Sequence, residues 1–269
     1  MGNRFNCIAM VLIAAGSALS TGSAAAQQPP RDMIVFSWAA GADVHHQSYR
    51  EPSLDVSEDG WFGGLTGDLR LTYNQWQLRG EALLAYGKMD YSGSGTINGI
   101  DDVELELRLL GAYALPLNTK GDQLTPYAGY GYRLLADFMG GHTSSTGRFG
   151  YDRLSQYHYI PIGLESLVGI APGWALKPTI EYDYFIEGTQ DSYLSPELHN
   201  TQNSGYGARA SLFARTSYGS NPIEFGPFVR YWHIDQSNTQ TAANSQFVIT
   251  GFEPQNHTVE AGLGFKFWF

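Results

Sequence analysis

The chain has 269 residues and a formal charge of −10 at pH 7, from 16 Lys and Arg against 26 Asp and Glu. That shortage of basic side chains argues against a nucleic-acid partner, whose phosphates require a basic face. Aromatic residues at 14%, 32 glycines and only 16% charged residues are unusual for a soluble domain, and suit a lipid-facing sheet with aromatic girdles.

Residues 1–26 read as a secretory signal. Arg4 supplies the positive start, Cys7 to Leu19 the apolar run, and Ala24-Ala25-Ala26 before Gln27 a small-residue cleavage site. The apolar run is too short to span a bilayer. Cleavage near Ala26 removes Cys7, the single cysteine, so disulfides, thiol nucleophiles and thiolate metal sites are excluded. Residues 27–32 read as a short periplasmic leader, and residues 33–269 as one domain. No apolar stretch after residue 26 is long enough for a transmembrane helix, so a membrane crossing would use strands.

From residue 33 a two-residue alternation recurs about ten times, with short and long connections taking turns. The first strand, near Met33–Tyr49, sets Ile34, Phe36, Trp38 and Val44 against Ser37, Asp43 and His45. After a loop at 52–59, Trp61, Leu65, Leu69 and Leu71 oppose Thr66, Asp68 and Arg70. Asn74-Gln75 is a tight turn, and the third strand sets Trp76, Leu78, Leu84 and Tyr86 against Gln77, Arg79 and Glu81. A Gly- and Ser-rich loop is expected from Tyr91 to Ile100. The fourth strand alternates most cleanly, with Val103, Leu105, Leu107 and Leu109 against Glu104, Glu106 and Arg108. The fifth, Tyr127–Phe138, points Arg133 and Asp137 inward.

A loop at 140–155 precedes Tyr157–Ile170 and the turn Ala171-Pro172-Gly173. The seventh strand, Trp174–Ile186, faces Lys177, Glu181 and Asp183 inward. Loops are expected at 187–204 and 235–256, with strands Tyr206–Arg215 and Ile223–Ile234 between them. The closing strand, Thr258 to Phe269, puts Val259, Ala261, Leu263, Phe265, Phe267 and Phe269 on one face. The reading is all-β: a transmembrane antiparallel up-and-down barrel of about ten strands, of the bacterial outer-membrane type. A secreted β-sandwich would not need apolar residues on the outward face of every strand.

The inward residues mix acids and bases, and a ten-stranded barrel is too narrow for an aqueous channel of porin size. Opposite charges should therefore pair into a polar plug. At the loop side the pattern places His45, His46, Asp90, His142, Asp191, His199, His233, Asp235 and His257. None of these spacings is a recognised metal-ligand motif, and no cofactor is implied. Mouth acids (Asp55, Glu58, Asp59, Asp90, Asp101, Asp102, Asp191, Glu197, Asp235, Glu253) face few bases, such as Arg148 and Arg153. Such a mouth attracts cationic peptides.

The runs Tyr157-His158-Tyr159-Ile160-Pro161-Ile162-Gly163-Leu164 and Tyr182-Asp183-Tyr184-Phe185-Ile186-Glu187-Gly188 resemble strands of the omptins, ten-stranded outer-membrane proteases. The resemblance implies the omptin fold, and a catalytic site built from an Asp pair in the second outer loop and an Asp–His pair in the fourth. Here the second loop offers Asp90 alone in Lys88-Met89-Asp90-Tyr91, and the fourth offers Asp191-Ser192-Tyr193, with Tyr193 where a histidine is wanted. A lone carboxylate does not hold and activate a water as a pair does. The best remaining catalytic set is Asp90 and Asp191 with a histidine from His45, His199 or His233.

The expectation is a non-enzymatic surface or envelope protein of a Gram-negative outer membrane, with a plugged lumen and an acidic mouth. An omptin-related hydrolase with a rearranged site and a narrow diffusion channel are the alternatives. Expected partners are outer-membrane lipid and lipopolysaccharide, cationic peptides, and the assembly machinery reached through the strand that ends at Phe269.

Overall fold

Alternation of apolar and polar residues leaves each segment with one face for lipid and one for a lumen. The only edge-free way to satisfy every backbone group is then a closed cylinder of strands. The computed structural model describes residues 33–269, and the expected signal and leader, residues 1–32, lie outside the described residues. In chain order the strands are β1 (Ile34–Glu51), β2 (Val56–Tyr73), β3 (Trp76–Gly93), β4 (Gly95–Tyr113), β5 (Leu115–Pro116), β6 (Gln123–Phe138) and β7 (Arg153–Ala171). They continue as β8 (Trp174–Ser192), β9 (Leu198–Gln202), β10 (Gly205–Tyr218), β11 (Asn221–Ile234), β12 (Gln240–Ala243), β13 (Val248–Gly251) and β14 (Asn256–Trp268).

Ten long strands close on themselves, all antiparallel. Each pairs with its chain neighbour, β8 pairs with β10, and β1 pairs with β14 from Ala39↔Trp268 to Arg50↔His257. Short turns join β2 to β3, β7 to β8 and β10 to β11 at one end, while the long connections 139–152 and 235–255 lie at the other. These are called the turn end and the loop end below.

The outer face carries Leu65, Leu69, Leu84, Leu107, Leu109, Ile180 and Leu263, all exposed. Aromatic side chains border this band on both sides: Tyr73, Trp76 and Trp174 toward the turns, and Trp61, Tyr86, Tyr182 and Tyr184 toward the loops. From Trp61 to Tyr73, twelve steps of about 3.3 Å tilted by roughly 40° give a height of about 30 Å, the thickness of a hydrocarbon core. Beyond Trp61 the strands continue past the membrane.

That continuation corrects three expected loops. Tyr91–Ile100 is a hairpin turning at Ser94; a β-bulge opposite Met89 and Tyr91 lets both Ile97 and Ile100 face inward, where they bury against Phe62, Met89 and Met139. The span 187–204 holds the end of β8 and all of β9, and 235–256 holds the β12–β13 hairpin. Small polar residues were mistaken for breaks where long-range pairing supplies the order.

Inside, glycines make room for flat rings. A Cβ on Gly131 would come within 2.1 Å of the Tyr159 ring, and one on Gly163 within 2.2 Å of Tyr127, each pair sitting in register across β6 and β7.

The facing of β4 is testable. Leu107→Arg places a charge in lipid at a cost of about 2–4 kcal/mol near the midplane, whereas Leu107→Phe does not. Heat-modifiability on a gel should show poor assembly for the first and near-normal assembly for the second; equal behaviour would reverse the facing.

Candidate functional site

The inward face stacks into levels. Nearest the turns, Lys266 donates to Asp68 at 2.8 Å, Arg79 reaches Glu165 at 3.1 Å, and Glu224 binds both Lys177 and Arg215. Arg70 lies over the Trp268 ring at 4.7 Å. One level up, Arg108 bridges Glu81 and Glu181. Arg209 grips Glu106 through both terminal nitrogens and Asp183 through Nε at 2.7 Å. The Tyr159 hydroxyl donates to the same Glu106 at 2.6 Å.

Above them Arg133 and Arg230 share Glu260 and Glu104, and Arg230 also faces Asp43 at 3.6 Å. Trp232 lies beside Arg133 and Arg209, with guanidinium carbons 5.5 and 5.7 Å from its ring. Bidentate and multiply bonded pairs of this kind offset much of the cost of burying charge, although both oxygens of Glu104 and the Nε of Arg133 make no hydrogen bond.

Between these levels lie cavities of about 180 and 140 Å3, with Asp68, Glu81, Arg108 and Lys266 in both walls. The layer of His45, Arg133, Tyr159 and Trp232 is almost wholly inaccessible and separates them from the loop end. The inward charges expected to pair do so in specific pairs. Planar-bilayer recordings should show no stable open level, and a reproducible conductance of porin size would contradict the sealed layer.

At the loop end a cleft of about 670 Å3 opens. Its walls are apolar, from Leu54, Val56, Tyr91, Met139, Leu198, Ile249 and Phe252. Its polar wall gathers around Arg153, which bonds Glu51 at 3.4 Å, Asp137 at 2.8 Å and also Glu58. Tyr49 donates to Glu51 at 2.7 Å and to Glu253 at 3.3 Å. Asp102 sits directly across the β4–β6 pair from Asp137, and both are buried.

Glu253 belongs to the long connection after β11. Ser237 pins its backbone, accepting from its N–H at 2.7 Å through the hydroxyl and donating to its carbonyl at 2.9 Å. Burial pushes its carboxyl up to about 7; Glu51 and Glu58 add to the rise, while Arg153 and the Tyr49 hydroxyl oppose it. Arg153 thus bonds Glu51, Glu58 and Asp137, with Glu253 close by through Tyr49. Burial also raises Glu58 to about 7 and Asp102 to about 9, so much of this acidity is protonated at neutral pH.

The sequence-derived catalytic set is not assembled there. Asp90 points outward from β3 and accepts from the Gly99 N–H at 2.8 Å. Asp191 and His199 do meet, at 2.7 Å across β8 and β9, with the imidazole largely exposed on the outer surface. His233 stands on the outer face of β11, bonded to Asp235 at 3.0 Å and 2.9 Å from His257. His45 is corrected most. Two residues beyond Asp43 on the same face, it is fully buried in the lumen and not at the mouth. Tyr49 and Glu51 were missed, although the parity of Asp43, His45 and Gln47 carries through to both.

No protein-family model matches the chain, and no curated protein matches it. Among solved structures it is similar to the outer membrane protease OmpT from Escherichia coli, with a TM-score of 0.54 and 13% identity, over 89% of this chain and 97% of that one. The barrel is omptin-like in fold. The β domain of the Bordetella autotransporter BrkA is also similar, at 12% identity over 87% of this chain and all of that one, but its TM-score of 0.42 is too low to carry an argument. At 13% identity the likeness concerns the omptin-like cylinder and extends to no site.

Proposed function

We propose that this chain is an outer-membrane surface protein of a Gram-negative bacterium, with a sealed lumen that is structural and a loop-end cleft that binds cationic, amphipathic peptides. One observation carries the reading: the cleft joins an apolar wall to Glu51, Glu253 and Arg153, with Glu58 and Asp137 buried behind Arg153 and bonded to it. Short turns face the periplasm and long connections face outward in barrels of this kind, which sets the cleft outside the cell. A peptide with lysines on one side and leucines on the other meets both surfaces at once. Acids in a partly enclosed cleft raise the local concentration of such ligands by a long-range field that salt weakens.

Around the barrel, the exposed apolar band and its aromatic borders suit lipid, including lipopolysaccharide in the outer leaflet. Strand β14, which joins both β11 and β1, is the segment the assembly machinery would handle when the cylinder closes.

The pH dependence follows from Glu253. Its carboxyl stays protonated to about pH 7 in the folded protein, so the negative charge arrives as pH rises from 6 to 8. A cationic ligand favours the ionised form and should release protons on binding near neutrality. The groups that face it are Glu51, Glu58, Arg153 and Tyr49.

The test is titration of a fluorescent lysine- and leucine-rich peptide into the refolded barrel. Affinity should rise between about pH 6 and 8, fall roughly tenfold or more as salt goes from low to high, and drop sharply in a Glu51→Gln, Glu253→Gln double variant. Mass spectrometry should recover the peptide intact. Binding indifferent to salt and to both substitutions would reject the cleft, and cleavage abolished by Asp191→Ala would replace the reading with a hydrolase.

A further inference from the structure

The level beneath the cleft contains an arrangement that plugging alone does not require. His45 of β1, Glu104 of β4 and Glu260 of β14 are each fully buried, and one donor atom from each lies within 4.8 Å of the others. Asp43 bonds His45 Nδ1 at 2.9 Å, which fixes the ring and leaves Nε2 facing the lumen. Nε2 has no hydrogen-bond partner, and neither does either oxygen of Glu104.

The gap between Nε2 and Glu104 Oε2 is 3.7 Å, too long for a hydrogen bond. An ion with bonds of about 2.0–2.2 Å to nitrogen and oxygen spans donor separations up to roughly 4 Å. Glu104 turns Oε1 toward Arg133 and Arg230, at 3.4 and 3.6 Å, and so presents Oε2 to the imidazole. A carboxylate behind the ligating histidine, and cations behind the ligating carboxylates, are outer contacts that orient such ligands.

The same level is also short of cations. Among the described residues, the lumen between the turns and Trp232 holds ten carboxylates: Asp43, Asp68, Glu81, Glu104, Glu106, Glu165, Glu181, Asp183, Glu224 and Glu260. Against them stand nine permanent cations, namely Arg70, Arg79, Arg108, Arg133, Lys177, Arg209, Arg215, Arg230 and Lys266. Asp43, Glu104 and Glu260 share Arg133 and Arg230, three carboxylates against two cations. The four acids around Arg108 and Arg209 are offset by a surplus of two cations nearest the turns. The cavity of about 180 Å3 reaches up to Asp43 and Arg230, the groups behind and beside the cluster.

We propose that His45, Glu104 and Glu260 form a site for a divalent transition-metal ion of the zinc class, with Asp43 as the positioning residue behind His45. The ion ties β1, β4 and β14 together across the lumen, next to the strand pair that closes the barrel. Its nitrogen-and-carboxylate donors suit zinc or cobalt over calcium or magnesium.

The experiment uses the refolded barrel with Zn2+ by calorimetry and Co2+ by visible absorption. Wild type should take up one ion per chain, with a ligand-field spectrum of mixed nitrogen and oxygen ligation. His45→Gln and Glu104→Gln should abolish uptake, and the milder Asp43→Asn should weaken it roughly 10–100-fold. Heat-modifiability confirms that each variant is folded. A His233→Gln, His257→Gln double variant, which removes the surface histidine pair, should bind as wild type does. No stoichiometric uptake by wild type, uptake that survives both His45→Gln and Asp43→Asn, or loss of uptake in the surface double variant would each overturn the site. So would an imidazolium at His45 that titrates indifferently to added Zn2+, since the cation at this level would then be a proton.

Discussion

Everything inside this barrel depends on the cost of an unpaired charge in a narrow, largely dry lumen. A single buried charge without a partner costs several kcal/mol, so each inward carboxylate has to meet a cation at a fixed height. Glu106 is the clearest case: Arg209 holds both of its oxygens and Tyr159 donates to one of them. Such a network limits which strand registers are allowed, because a slip of one residue would send these charges to lipid and bring leucines inside. Lipid-facing apolar residues set which face is outward; the ion pairs set how the walls meet.

The same network supports the loop end. Strands that extend past the membrane are held from below by the Arg133, Trp232 and Tyr159 layer and from the side by two apolar clusters, around Met89 and around Tyr157. A rigid rim lets Arg153 sit among Glu51, Glu58 and Asp137 without all four being solvated. The paired charges of the lumen and the acidic cleft at the loop end are therefore two parts of one distribution of charge.

Much of this was legible in the sequence, and the remainder shows where alternation stops being informative. Parity alone assigned Glu104, Glu106 and Arg108 to the lumen and Leu107 and Leu109 to lipid, since both outcomes depend only on local geometry. Partners were not legible. Glu106 and Arg209 are 103 residues apart, and their meeting depends on closure of the cylinder. Composition misled at Tyr91–Ile100, where Gly and Ser suggested a loop while Ile97 and Ile100 continued the strand. His45 was read as a mouth residue from its proximity to a loop, although its spacing from Asp43 already placed it inside. Glu253 lies in a connection with no periodicity, and Ser237, which orders it, is close only after folding.

A double-mutant cycle on Arg209 and Glu106 tests the pairing most directly. Unfolding of the refolded barrel in denaturant would be followed for Arg209→Met, Glu106→Leu and the two combined. The account predicts that each single change, by stranding a buried charge, destabilises by about 3–5 kcal/mol, and that the double variant loses clearly less than the sum, the remaining loss coming from Asp183, which Arg209 also holds. Additive losses in the double variant would show that the two charges do not depend on each other, and would contradict the paired lumen.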